Sequence, residues 1–134
     1  MRCALFFLAV LATADPPSDV VDFFRTLVDA LKDGHSDDPR FPSTARPFLE
    51  KFDSAMPGFV KLRSEVEALV AAGHVGSAIE FVTDEGDENK RMLELDWLLE
   101  VDGRQPRRQI LKCTIERRGK KWKITVLEPV EFFE

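Results

Sequence analysis

Apolar positions in the first half of the chain recur at helical spacing; in the second half they alternate. Val20, Phe24, Leu27, Val28 and Leu31 fall on one helix face, with Ser18 where an N-cap is wanted and Gly34 closing the run. A loop rich in Asp, Pro and Ser follows, from His35 to Ser43. Pro47 suits a first helical turn, and Phe48, Leu49 and Phe52 give that turn a short apolar face. Pro57 opens a third helix, whose buried stripe is Phe59, Leu62, Val66, Leu69 and Val70 and whose end is Gly73.

From Val75 onward the apolar residues sit at every second position, the repeat of a strand. The pattern predicts strands over Val75 to Thr83, Lys90 to Val101, Arg108 to Arg117 and Trp122 to Phe133. Asp84 to Asn89, Asp102-Gly103 and Gly119 supply the turns, with Pro106 in the second connection. Three hairpin links in succession make an antiparallel meander. Helices first and one sheet second is an α+β layout, in which the helices cover a single sheet face.

Parity then assigns the two faces. Leu93, Leu95, Trp97, Leu99 and Val101 point one way, joined by Leu111, Cys113 and Ile115 and by Trp122, Ile124 and Val126. Glu94, Asp96, Glu100, Lys112, Thr114 and Glu116 point the other way, with Lys123 and Thr125. Asp96, pressed between Leu95 and Trp97, therefore reads as a solvent-facing residue paired beside Lys112, and not as an acid in a pocket. Leu98, Ile110 and Leu127 place isolated apolar side chains on that same open face.

Composition changes this picture in three places. Eleven Phe and no Tyr make the aromatic content a packing resource. The apolar run Cys3 to Ala12, after Arg2 and before Ala12-Thr13-Ala14, reads as a signal peptide over residues 1–14. That leaves a single domain over 15–134, exported to a periplasm or the outside, with no membrane attachment after cleavage. Without Arg2 the net charge of -5 becomes one unit more negative, which excludes nucleic acid as the expected partner. Cys113 alone then remains of the two cysteines, and it reads as a small buried hydrophobe. RRGKK, Arg117 to Lys121, reads as a solvated turn, and the acidic Asp84 to Glu88 lacks the spaced ligands of a calcium loop. No spacing calls for a metal, and no cofactor is expected.

The order of elements resembles the nuclear transport factor 2-like superfamily, the cone shared by ketosteroid isomerase, scytalone dehydratase and the SnoaL-like cyclases. The resemblance rests on the helical half, on SAIEFV (Ser77 to Val82), on ELDWLLEV (Glu94 to Val101) and on GKKWKITVLEP (Gly119 to Pro129). It implies a strongly curved, cystatin-like antiparallel sheet wrapped around a pocket roofed by the helices. Phe24, Phe59 and Leu62 would line that pocket from the helices. Ser77, Leu95, Trp97 and Leu111 would line it from the sheet, with Cys113, Trp122 and Ile124.

Enzymes of such folds place an ionisable group inside the cone. Here parity places none, so no catalytic residue is assigned beyond His74, which the resemblance puts at the rim. His35 falls in a polar loop, and Glu65 and Glu67, flanking buried Val66, are expected to face water. The first expectation is therefore a domain that binds a small hydrophobic molecule in an apolar cone, or a dimeric interaction module. Its dimer face would comprise Asp96, Leu98, Ile110, Lys112, Thr125 and Leu127. A cyclase- or isomerase-type enzyme, with a rim His or a helix carboxylate as general base, is the alternative.

Overall fold

The computed structural model describes residues 15–134. The segment read as a signal peptide lies outside the described residues. Among them no helix is long and apolar enough to cross a membrane.

Helix α1 (Ser18–Lys32) buries Val20, Phe24, Leu27 and Leu31, while Val28 is half-buried. Ser18 is its first residue and not its cap; the carbonyl of Pro17 takes the first backbone bonds, from Val20 and Val21. The short α2 (Arg46–Leu49) has its proline in the first turn, as the spacing predicts. Helix α3 (Phe59–Ala72) starts after Gly58, whose φ of 80° few other residues adopt, and ends at Gly73.

Four strands, β1 (Val75–Gly86), β2 (Lys90–Val101), β3 (Arg107–Arg118) and β4 (Lys121–Glu128), form one antiparallel sheet in sequence order. The expected α+β arrangement is what folds. Beyond β4, Lys51 and Asp53 bond the backbone of Ile124, so the chain after α2 covers that sheet edge.

Three boundaries differ from the pattern. Asp84 belongs to β1 and not to a turn; its carboxylate takes two bonds from Arg91, 2.9 and 3.0 Å, in a nearly buried pair. Arg117 is no solvated turn residue. Its guanidinium lies over the Trp122 ring, 4.3 Å from the centroid, and donates to Asp19 at the start of α1. The last strand stops at Glu128, because Pro129 carries no N–H to continue a ladder; Val130–Phe133 then turns into a 3-10 helix.

A fourth difference inverts a face. The β3–β4 register runs Thr114 with Val126 and then Ile115 with Ile124, leaving Thr125 as an extra residue, a β-bulge. Parity reverses there. Leu127, expected on the open face, is buried in the core, and Val126, expected in the core, is only half-buried. The β2 alternation has no such interruption across β3, and its apolar set is buried throughout.

Candidate functional site

Phe24, Leu62, Leu95, Trp97, Leu111, Cys113, Trp122 and Ile124 all belong to one contiguous buried core, with Phe59 packed against it and Ser77 half-buried. What fills the space between sheet and helices is the chain's own C-terminal turn. Phe133 is fully buried, edge-on to Trp97 at 5.3 Å between ring centroids and 6.1 Å from Phe48. Phe132 stands 5.2 Å from Phe133 and 6.2 Å from Trp97. Aromatic rings at these separations and tilts are in favourable contact. The expected lining residues are thus the walls of a packed core. Burial also pushes the Cys113 thiol well above its ordinary value, so it stays a neutral, inert group.

A surface groove of about 820 Å³ does exist, bordered by Leu49, Phe59, Arg63, Glu67 and Arg118; of the expected lining residues only Phe59 reaches it. It runs between α2 and α3 to Arg118 of β3 and Lys123 of β4, and the core residues Ala45, Phe52 and Val70 form part of its wall.

Among the described residues, three buried side-chain polar atoms find no hydrogen-bond partner: Ser77 Oγ, Trp97 Nε1 and Glu65 Oε1. Ser77 and Trp97 lie on neighbouring strands, in the pairs Ser77 with Leu99 and Ile79 with Trp97. Glu65 is the larger surprise. Its side chain is 10% exposed, where the helical pattern puts it in water. The C-terminal 3-10 helix packs against α3 and explains the cover, with Lys61 bridging to Glu131 at 2.7 Å. Glu67 is exposed, as expected.

Burial holds the Glu65 carboxyl above its ordinary value; Lys61 partly opposes this, and the Glu134 and Glu131 carboxylates add to it. A carboxyl raised on folding favours the folded state below its ordinary value near 4.5, and that contribution is lost as pH rises through the raised value. Glu65→Gln is therefore expected to raise stability at neutral pH by about 1 kcal/mol and to change little at pH 4. Urea titrations of both chains across that range check the sign.

Asp96 sits on the open face as parity requires, but its partner is Arg108 and not Lys112. The guanidinium grips the carboxylate at 3.0 and 2.7 Å and holds its pKa below the usual carboxylate range. Lys112 stands opposite Glu94 instead. On this face Met92 and Ile110 are 55% and 52% exposed, and Leu98 is half-buried. Thr125 joins it through a 2.8 Å bond from its hydroxyl to Glu116.

His74 does not look into the cone. Its Nε2 lies 3.0 Å from Asp37 Oδ2, and its ring meets that of His35 edge-on, 4.7 Å between centroids. His35 Nε2 is 3.3 Å from Asp37 Oδ1. The fold thus joins the chain's two histidines, read separately in the sequence, around one carboxylate. The only local signal was His35-Ser36-Asp37; the approach of His74 is a tertiary fact.

No family model and no curated protein matches the chain. Solved structures do. Bd1075 of Bdellovibrio bacteriovorus superposes with a TM-score of 0.66 at 12% identity, over 83% of this chain and 38% of that one. The chain thus spans well under half the length of Bd1075. A nuclear transport factor 2-like protein of unknown function from Shewanella oneidensis MR-1 gives 0.58 at 10% identity, over 82% and 94%. A protein of unknown function with a cystatin-like fold from Nostoc punctiforme gives 0.55 at 12%, over 82% and 86%. The chain therefore has the nuclear transport factor 2-like, cystatin-like cone fold. Such likeness defines the architecture and leaves the activity to the residues.

Proposed function

We propose that the chain is an exported association domain, which pairs with a second copy through its open sheet face and holds no ligand in its cone. The observation that carries this reading is the filling of the cone by Phe132 and Phe133 against Trp97, while Met92 and Ile110 stay exposed outside. Apolar side chains of that size, set singly among charges, suit an interface whose rim is polar.

A second copy fits the charge layout. Arg108 and Lys112 lie on β3, whereas Glu80 and Glu94 lie on β1 and β2. A two-fold rotation that lays β3 over its partner's β1 and β2 sets unlike charges against each other, with Ile110 near the centre. Sedimentation equilibrium tests this. The account expects a dimer, and Ile110→Glu is expected to weaken it at least about tenfold. A monomer at every concentration, or an Ile110→Glu variant that dimerises as tightly as the parent, contradicts it.

One observation favours a second reading, an acid–base enzyme: Glu65 is a shielded carboxyl with a raised pKa. It does not border the groove between α2 and α3, and the C-terminal turn closes it off, so the association reading ranks first.

A further inference from the structure

We infer that His35, Asp37 and His74 form a binding site for a divalent transition-metal ion of the Zn²⁺ class. Their donor atoms all lie within 4.8 Å of one another.

The arrangement of protons carries the argument. His35 Nδ1 is 2.7 Å from the Val70 carbonyl oxygen, and a carbonyl only accepts, so Nδ1 bears the hydrogen. In a neutral ring Nε2 then presents a bare lone pair, and what it faces, at 3.3 Å, is a carboxylate oxygen that also only accepts. Two acceptors at that distance need a positive centre between them, a proton or a metal ion. His74 Nε2 meets the other oxygen of the same carboxylate at 3.0 Å, so a single metal ion would contact both rings and the carboxylate.

Distances and ligand type fit the metal. Bonds of about 2.0–2.1 Å in a tetrahedral Zn²⁺ site put neighbouring ligand atoms about 3.3 Å apart. The His–Asp separations of 3.3 and 3.0 Å are already close to that. Two imidazoles and a carboxylate are a donor set such ions take, and three protein ligands leave one position for water.

The surroundings hold the ligands in place. A ligating histidine commonly gives its second N–H to a backbone carbonyl, as His35 does to Val70. The loop that carries His35 and Asp37 is pinned by Thr44 N to Gly34 O at 2.8 Å and by Ser36 N to the Ser43 hydroxyl at 2.9 Å. Gly34 allows this closeness, since a Cβ there would come within 2.7 Å of the Thr44 oxygen. The His74 backbone is held on both sides by Asp102, whose carboxylate accepts from its N–H at 3.0 Å and whose N–H donates to its carbonyl at 3.2 Å. An ion here would tie the loop after α1 to the junction of α3 and β1.

The test uses the full chain without an affinity tag, stripped with EDTA. Zn²⁺ is titrated by calorimetry, and Co²⁺ serves as a visible-absorption reporter of direct ligation. One ion per chain is expected, with a Co²⁺ band typical of tetrahedral nitrogen and oxygen ligands. His74→Ala and Asp37→Asn change exposed side chains, so both should fold as the parent does by circular dichroism; each is expected to weaken Zn²⁺ at least about tenfold. No binding by the parent, or Zn²⁺ affinity unchanged in both variants, overturns the assignment.

Discussion

Phe133→Ala is expected to lower the free energy of unfolding by about 3–5 kcal/mol. The ring is fully buried and touches Trp97, Phe48 and Phe132, so truncation removes its transfer free energy and opens a void among rigid aromatic neighbours. Such a void closes poorly, which puts the loss toward the upper end of the range. A second consequence follows from its lining. A dry apolar cavity accepts small apolar molecules, so the variant, unlike the parent, is expected to regain stability when benzene is added. Urea denaturation of parent and variant, with and without benzene, reads both effects. A loss under about 1 kcal/mol would mean that the C-terminal turn does not fill the cone.

Leu127→Ala is expected to cost about 2–5 kcal/mol, and Val126→Ala less than about 1 kcal/mol. Leu127 is 1% exposed and Val126 half-exposed, a contrast created entirely by the bulge at Thr125. Unbroken alternation after Ile124 would give the opposite ranking. Midpoints of urea unfolding for the two variants therefore decide where β4 changes face, with equal or inverted losses arguing against the bulge.

That contrast shows how far residue patterns reach in this chain. In β2 the alternating run pairs with β3 without interruption from Lys90 to Leu99, so period two alone sorted Leu93 to Val101 inward and Asp96 outward. In β4 one inserted residue reverses everything after it, and nothing about Thr125 distinguishes it from its neighbours as a bulge. Helix faces were legible because their stripes are long, α1 and α3 above all. Glu65 was misjudged for a different reason. Its helix position is peripheral, and its cover comes from a segment 65 or more residues away in the chain, which Pro129 turns back onto α3. The His35–Asp37–His74 group was illegible for the same reason, because loop ends meet only once the helices and the β2–β3 turn have docked. The Asp96 pairing sat between these cases. Its face was readable, but the choice of Arg108 over Lys112 depends on register.

The central claim is that this cone is occupied by its own C-terminal aromatics and that the outer sheet face does the binding. Native mass spectrometry of the full chain, read before and after gentle unfolding, tests it most directly. The account predicts a dimer whose subunits, apart from metal ions, carry only polypeptide mass. An organic mass excess that is released when the chain unfolds would contradict it, because the account assigns the chain no organic passenger.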